Sequence, residues 1–204
     1  MRTADRRPQT AGASNLVVIG ASWGGLAALD LLLKGLPQDF ATPIAVAQHR
    51  AVESGSGALA TILSAHSGRN VCEASDKDPI EPAHVYLAPP DYHLLVESDG
   101  FALSTEGAVQ YSRPSIDVLF DSAADVYADR LVSVVLTGAN DDGAYGTMRV
   151  RRRGGLTIAQ DPATAERPDM PEAAIATGDV QQVLPLEEIG PYLVSVADDE
   201  RSAA

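Results

Sequence analysis

The sequence has 204 residues, of which 45% are hydrophobic, and its formal net charge is −13 from 15 basic and 28 acidic side chains. This amount of apolar material excludes wholesale disorder, and the length suits one domain with short tails. The negative charge disfavours nucleic acid and anionic membrane surfaces as partners.

The sequence contains no recognisable targeting segment, membrane span or metal-binding motif. No apolar run reaches the ~18 residues of a membrane-spanning helix. The arginines within residues 1–14 are not followed by the apolar segment of a secretory signal. The single cysteine, Cys72, cannot form an internal disulfide, and no Cys/His cluster has zinc-ligand spacing. We therefore expect a cytoplasmic protein with no membrane insertion, no metal and no cofactor.

Apolar strands and amphipathic helices alternate in the first third of the chain. The continuous apolar runs 16–19 and 44–47 are typical of strands covered on both faces. Leucines at helical spacing predict a helix over 25–36. A second helix is predicted over 56–64 and a short strand over 71–74.

The middle of the chain carries short alternating segments at 84–88, 93–97 and 101–104. Turn-forming residues separate them, with Pro-Pro-Asp after the first segment and Ser-Asp-Gly after the second. This pattern predicts a small antiparallel excursion from the main sheet.

Strand–helix units return in the C-terminal half of the chain. The run 131–137 is the most β-branched of the sequence and predicts a central strand, and 156–159 predicts another. Helices are predicted over 113–128, 143–153 and 171–177.

These repeated units determine the expected fold and domain organisation. They predict a doubly wound α/β fold, with a mostly parallel sheet and helices on both faces. We expect a single domain over 15–197, between flexible tails at 1–14 and 198–204.

Polar residues suited to catalysis follow three of the predicted strands. Ser22 follows the first strand, His49 the second, and Asn140, Asp141 and Asp142 the long central strand. Open parallel sheets hold their sites beyond the carboxyl ends of the strands, so a hydroxyl, an imidazole and a carboxylate should meet at one edge.

Ser22 lies in a G-x-S-x-G stretch, a sharp strand-to-helix turn that lifts a serine hydroxyl above a sheet. The unpaired N–H groups of the following helix favour an oxyanion nearby. The same glycine-rich turn is also compatible with phosphate binding or with tight packing alone. It is not the dinucleotide fingerprint, because serine occupies the position of the middle glycine.

The partners of Ser22 are less specific when each is considered alone. His49 ends an apolar strand, which also suits a histidine that simply has a hydrogen-bond partner at the sheet edge. Asp142, Asp141 and Asn140 can each cap the following helix, and the local pattern leaves the choice among them open. Their shared location favours catalysis, because a serine nucleophile needs a base and the base needs a carboxylate. Among the other histidines, His93 is expected to pack in the core or a loop.

Five linked motifs resemble the catalytic domain of the bacterial chemotaxis protein-glutamate methylesterases (CheB type). They lie, in the order of that family, at 20–25, 48–49, 88–93, 113–120 and 136–144. The resemblance extends over about residues 16–193. It implies hydrolysis of glutamyl γ-methyl esters on chemoreceptors to glutamate and methanol, and in some members deamidation of receptor glutamines.

The resemblance also implies roles and partners. Ser22 corresponds to the nucleophile, His49 to the general base, and Asp142 to the orienting carboxylate, because the family's aspartate directly precedes Gly-Ala. The implied substrate is the set of cytoplasmic helices of methyl-accepting chemoreceptors. A separate response-regulator or methyltransferase chain is a further candidate partner.

The chain departs from the family pattern at several positions. Trp23 stands where a hydroxyl residue is usual, Ala139 and Asn140 replace methionine and glycine, and Pro168-Asp169 replaces Phe-Gly. Residues 1–14 cannot hold a receiver domain of ~100 residues, so we expect a chain without one. These departures motivate two alternatives: a hydrolase of another ester or amide, and a catalytically inactive receptor-binding module.

Overall fold

The computed structural model describes residues 15–50 and 57–203, with side chains described to residue 197. The predicted N-terminal tail, 1–14, lies outside the described residues. The main sheet has seven parallel strands in the order β3-β4-β2-β1-β7-β8-β9. The strands are β1 Leu16–Ala21, β2 Ile44–Gln48, β3 Asn70–Glu73, β4 His84–Leu87, β7 Leu131–Val135, β8 Leu156–Gln160 and β9 Gln182–Leu184.

Helices cover both faces of this sheet, which confirms the predicted doubly wound α/β fold. Apolar side chains of α1, α2 and α6 pack on one face, and those of α3, α4 and α5 pack on the other. The helices are α1 Gly25–Gly35, α2 Ala58–Ser67, α3 Ile116–Tyr127, α4 Ala144–Arg152, α5 Asp169–Ala176 and α6 Leu186–Ala203.

A two-stranded antiparallel sheet, β5 His93–Glu97 and β6 Gly100–Ser104, is the small excursion that the sequence predicts. The prediction was wrong for the segment 84–88, because β4 lies inside the main sheet, parallel to both neighbours. Val85, Tyr86 and Leu87 are all buried, as expected of a strand covered on both faces. The polar atoms of His84 and Tyr86 gave this run the alternating look of a half-exposed strand.

The C-terminal region differs from the expectation. The sequence pattern predicts neither β9 nor α6, and the expected flexible tail at 198–204 overlaps the end of α6, which continues as helix to Ala203. Pro191 inside α6 hides the helical pattern. Ile189 and Leu193 nevertheless lie one turn apart and are buried in the core, which anchors this helix to the sheet.

The sheet order brings the three candidate strand ends together. β1 lies between β2 and β7, where the chain switches direction across the sheet, the position at which such folds form their crevice. Ala21 is level with Gln48, and Gly20 with Val135, so the residues that follow emerge side by side. Among the described residues, no helix combines the length and apolarity needed to cross a bilayer.

Candidate active site

The turn after β1 holds Ser22 by main-chain hydrogen bonds. The Ser22 N–H donates to the Thr137 carbonyl at 2.9 Å, and the Gly25 N–H donates to the Ser22 carbonyl at 2.9 Å. Gly24 has a φ of 78°, the left-handed conformation that glycine adopts without strain, and α1 begins directly after it. The chain thus reverses sharply from strand to helix around the serine.

Gly138, in the loop after β7, packs directly against this turn. A Cβ at position 138 would lie 2.9 Å from the Ser22 Cβ and would overlap the Met170 Sδ. No larger residue fits between these two side chains unless one of them moves. The close approach fixes the loop that leads to Asp142 beside the serine.

Ser22, His49 and Asp142 form a continuous chain of contacts. His49 Nδ1 lies 3.2 Å from Ser22 Oγ, and His49 Nε2 lies 2.8 Å from Asp142 Oδ2. Asp142 is fully buried and the His49 side chain is almost so. A second hydroxyl, Ser112 Oγ, lies 3.4 Å from the same Nδ1 atom. The sequence left three candidates for the carboxylate, and only Asp142 contacts the imidazole among the described residues.

Four donors surround the Asp142 carboxylate. Oδ2 accepts hydrogen bonds from His49 Nε2 and from the Ile116 N–H, both at 2.8 Å. Oδ1 accepts from Ser115 Oγ at 3.0 Å and from the Asp117 N–H at 2.9 Å. Three of these donors belong to the beginning of α3, where unpaired N–H groups stabilise a negative charge.

These contacts determine the protonation of the site. Burial acts to raise the pKa of Asp142, but the hydrogen bonds from His49 and from the Asp117 and Ile116 N–H groups outweigh it and lower the pKa. The carboxylate is therefore ionised and cannot donate, so the proton between it and the imidazole belongs to Nε2. When the imidazole carries this single proton, its Nδ1 lone pair faces the Ser22 hydroxyl at 3.2 Å.

Gln48 ties the two halves of the site together. Its Nε2 group donates to the Ser22 carbonyl at 2.8 Å and to the His49 carbonyl at 2.9 Å. One buried amide thus uses both of its hydrogens on the main chain of the candidate nucleophile and base. Since Ser22 follows β1 and His49 follows β2, this bridge fixes the separation of the two strand ends.

Replacing Gln48 by methionine is expected to lower kcat for an ester substrate about tenfold or more, because a displacement of ~1 Å at reacting atoms costs up to 100-fold. Methionine has similar volume but cannot donate. Steady-state kinetics with a small soluble ester measures the effect, and thermal unfolding checks the fold. Gln38→Met is the matched control, since Gln38 donates to the distant Ser67 carbonyl. Equal kinetics for the two variants would contradict the bridging role.

Asp117 caps the neighbouring helix in return. Its Oδ1 accepts from the Gly143 N–H at 2.9 Å and from the Gly146 N–H at 2.7 Å, at the beginning of α4. Burial raises the pKa of Asp117 to about 6, and the negative charge of Asp142 acts in the same direction. The hydrogen bond from the Gly146 N–H opposes this shift only in part. Asp142 thus caps α3 and Asp117 caps α4. Of these two buried carboxylates, only Asp117 has its pKa raised.

Asp117→Asn is expected to raise the free energy of unfolding at pH 8 by about 1–3 kcal/mol. Asparagine keeps an oxygen for both glycine N–H groups and removes the buried charge. Because the folded-state pKa of Asp117 is raised, its carboxyl favours folding below about pH 4 and loses that contribution as the pH rises through about 6. The advantage of the variant should therefore disappear toward pH 4. Urea titrations at pH 4 and pH 8 measure it, and a gain that is equal at both would contradict the assignment.

Two depressions flank the triad. One, the polar pocket, has a volume of about 520 Å³ and is lined by His49, Ser112, Arg50, Asp91 and Arg113 among others. The other, the α1–α2 groove, has a volume of about 390 Å³ and runs from Ser22 between α1 and α2. The polar pocket thus opens on the imidazole, and the α1–α2 groove opens on the serine.

Trp23 forms an exposed rim beside the serine. Its Nε1 donates to Glu166 Oε1 at 2.8 Å, and the Arg167 guanidinium lies 5.6 Å from the ring centroid. The Thr137 hydroxyl lies 2.9 Å from the Trp23 carbonyl and can donate to it. An exposed indole held in this way presents a fixed apolar surface at the mouth of the site.

His93 does not contact the triad directly. It is buried, its Nδ1 accepts from the Ser115 N–H at 3.1 Å, and its Nε2 lies 3.1 Å from the Gly107 carbonyl. It therefore packs in the core, as the sequence predicts, and its Nδ1 atom holds Ser115, the N-cap residue of α3. The described residues contain no group of three or more His, Cys, Asp or Glu side chains that could hold a metal ion.

Sequence reasoning missed the supporting residues, in particular Ser115, Gln48 and Thr137. Ser115 had a usable signal, because a serine followed by the apolar residues of a helix is a common N-cap. Gln48 offered a weaker one, as a polar residue at the end of an apolar strand. Nothing local pairs Ser115 with Asp142, which lies 27 positions away in the chain.

Comparison with known proteins identifies the relatives of the chain. The family model described as CheB methylesterase matches residues 17–193. The crystal structure of the Thermotoga maritima CheB methylesterase catalytic domain superposes with a TM-score of 0.85 at 34% identity, covering 90% of this chain and 99% of that one.

Curated relatives agree with this match. A Leptospira interrogans protein, provisionally named protein-glutamate methylesterase/protein-glutamine glutaminase, is 45% identical over 87% of this chain and 92% of its own length. An Anaeromyxobacter dehalogenans protein with the same two activities in its name is 43% identical over 91% of this chain. The chain spans only 54% of that longer relative.

Proposed function

The chain belongs to the CheB methylesterase family and is a methylesterase of that family, and on this premise we propose that it hydrolyses glutamyl γ-methyl esters on chemoreceptors. The products are the glutamate side chain and methanol. The observation that carries the proposal is the chain of contacts from Ser22 through His49 to the buried Asp142. We assign the activity to the domain over residues 15–197.

In the first step, Ser22 Oγ attacks the ester carbonyl carbon while its proton passes to His49 Nδ1. The resulting imidazolium carries a proton on both nitrogens, and the ionised Asp142 stabilises it through Nε2. The tetrahedral intermediate then collapses. The Cγ–OCH₃ bond breaks, and the proton on Nδ1 moves to the departing methoxide, which leaves as methanol.

The N–H of Trp23 is the donor we assign to the oxyanion. The Ser22 N–H is already bonded to Thr137, whereas among the described residues the Trp23 N–H has no hydrogen-bond acceptor. It belongs to the residue after the nucleophile, in the turn that precedes the α1 N-cap Gly24, and the nearby helix N-terminus favours negative charge. One such donor contributes about 3 kcal/mol to transition-state stabilisation in other enzymes.

In the second step, water attacks the acyl-enzyme. His49 Nδ1 accepts a proton from the water and then returns it to Ser22 Oγ as the ester bond to the serine breaks. The new glutamate carboxylate leaves a chain whose formal charge is already −13, which favours release modestly at physiological salt. The same steps with ammonia as leaving group deamidate a glutamine, and no cofactor enters either route.

We infer that the substrate segment is helical and cytoplasmic, as the chemoreceptor signalling region is. A separate response-regulator or methyltransferase chain remains a candidate partner. An ester or amide on another protein is the second candidate substrate, because the indole of Trp23 stands beside the serine where the family usually has a hydroxyl residue. An inactive binding module is disfavoured by the intact contacts among the three side chains.

The test is methanol release from chemoreceptor membranes that have been methylated with labelled methyl groups. We expect the wild-type chain to release labelled methanol and to convert the modified sites to glutamate, as mass spectrometry of the receptor peptides can show. Hydrolysis of a small soluble ester without any release from receptor would favour the second candidate substrate.

A further inference from the structure

The α1–α2 groove contains the nucleophile in its wall. Ser22 lies at one end, and Asp30 and His66 lie at the other, joined by a contact of 3.0 Å. Between the two ends the wall is apolar and includes Leu26 of α1 and Ile62 of α2. Whatever occupies this groove lies next to the reacting ester.

Two large apolar side chains are exposed in this one concavity. Leu26 is 42% exposed and Ile62 is 40% exposed, and they come from different helices. Single exposed leucines are ordinary on protein surfaces, as Leu31 of α1, 47% exposed and outside the groove, illustrates. A pair that faces a shared groove ending at a nucleophile indicates a binding subsite.

The apolar middle of the groove lies between the nucleophile and the polar end. Leu26 follows Ser22 by four positions in the chain and precedes Asp30 by one helical turn of α1. A substrate helix with its ester at Ser22 presents the side chain of its next turn about 6 Å away along its own axis. That side chain meets Leu26 and Ile62, and the following turn reaches the polar end at Asp30.

We propose that the α1–α2 groove is a specificity subsite that takes a leucine-sized apolar side chain one helical turn from the esterified glutamate. The inference rests on the proposed function, because it assumes an ester carried on a helix. The far end of the groove does not repel an acidic helix strongly, since the Lys34 ammonium lies 2.7 Å from the Asp30 carboxylate and offsets its charge. The enzyme thereby selects a substrate by an apolar side chain next to the ester as well as by the ester itself.

The test compares helical peptides that carry one glutamyl γ-methyl ester and either leucine or asparagine four residues away, on either side of the ester. Wild type should prefer one leucine peptide over its asparagine partner by about tenfold in kcat/KM, chiefly through KM. Leu26→Asn and Ile62→Asn should abolish most of this preference. Leu31→Asn, an equally exposed site on the same helix, should retain it.

A small soluble ester separates this inference from the proposed function. Leu31→Asn should hydrolyse it at the wild-type rate, and Leu26→Asn and Ile62→Asn should lose far less activity on it than on the leucine peptide, because it has no side chain to place between Leu26 and Ile62. If wild type cleaves the small ester but no peptide ester, the proposed function fails. The groove is then tested by inhibition of small-ester hydrolysis with the unesterified leucine peptide, which should weaken in Leu26→Asn and Ile62→Asn but not in Leu31→Asn. Equal preference, or equal inhibition, in Leu26→Asn and Leu31→Asn overturns the inference.

Discussion

Replacing Ser22 by alanine is expected to lower ester hydrolysis by about 10⁴-fold or more, as loss of the nucleophile does in other serine hydrolases. The hydroxyl lies 3.2 Å from His49 Nδ1 and has no equivalent elsewhere in the proposed mechanism. Methanol release and small-ester hydrolysis should fall together. Thermal unfolding should stay close to wild type, because the Ser22 side chain is partly exposed and its main-chain bonds remain.

The variant Ser112→Ala tests whether the nucleophile is assigned to the correct serine. The Ser112 hydroxyl lies 3.4 Å from the same imidazole nitrogen, so it is the other group that His49 could activate. Ser112 does not lie in a sharp strand-to-helix turn of the kind that holds Ser22. We therefore expect removal of the Ser112 hydroxyl to lower activity about tenfold at most, as for loss of one hydrogen bond. Near-normal activity in Ser22→Ala with loss of activity in Ser112→Ala would reverse the assignment.

Asp142→Asn is expected to lower kcat by about 10³–10⁴-fold, as the same change does in a serine-protease triad. An asparagine NH₂ facing Nε2 favours the tautomer that carries its proton on Nδ1. That nitrogen can then no longer accept the proton of Ser22. Retention of more than about a tenth of the activity would contradict the role given to the carboxylate.

The same substitution has a pH-dependent effect on stability. Because the folded-state pKa of Asp142 is lowered, its charge stabilises the fold above the ordinary aspartate range, and this contribution is lost as the pH falls through the folded-state pKa. Asp142→Asn should therefore be less stable than wild type at pH 7, and the difference should shrink below about pH 4. Asp141→Asn, an exposed neighbour, is the control and should match wild type in stability and activity.

Much of the fold was predictable because parallel strands are buried on both faces and show continuous apolar runs. β1, β2 and β7 are of this kind, and their ends carry the three candidate side chains. The sequence does not distinguish β4 from a half-exposed strand, because Tyr86 is buried yet polar at its tip, where its hydroxyl donates to the Pro79 carbonyl. The sequence does not predict α6, because Pro191 interrupts a helical pattern that tertiary packing nevertheless stabilises.

The candidate site was predictable only in part. The glycine turn and the strand ends point to Ser22 and His49, but local capping chemistry fits Asn140, Asp141 and Asp142 equally. The distinction arises from α3, whose first N–H groups bind Asp142, whereas the Asn140 side chain accepts from the Asp142 N–H at 3.3 Å. Such contacts join parts of the chain that are distant in sequence. They produce no hydrophobic periodicity or local motif from which they could be predicted.

The departures from the family pattern lie around the site and not within the triad. Trp23 and Ala139 are exposed, and Ala139 follows Gly138, which packs against Ser22. Trp23 is also held by Glu166 and Arg167, so its surface is fixed before substrate arrives. These residues therefore bear on which substrate is chosen, whereas the proton transfers depend on the three buried or half-buried side chains beneath them.

The most direct test of the central claim is detection of the acyl-enzyme. The wild-type chain is mixed with a peptide glutamyl γ-methyl ester, quenched in acid within one turnover, digested and examined by mass spectrometry. We predict that the peptide containing Ser22 gains the mass of the substrate acyl group, and that methanol appears in equal amount in the same burst. Methanol release with acylation at another residue, or with no acylated Ser22 under conditions that trap other serine acyl-enzymes, would contradict the account.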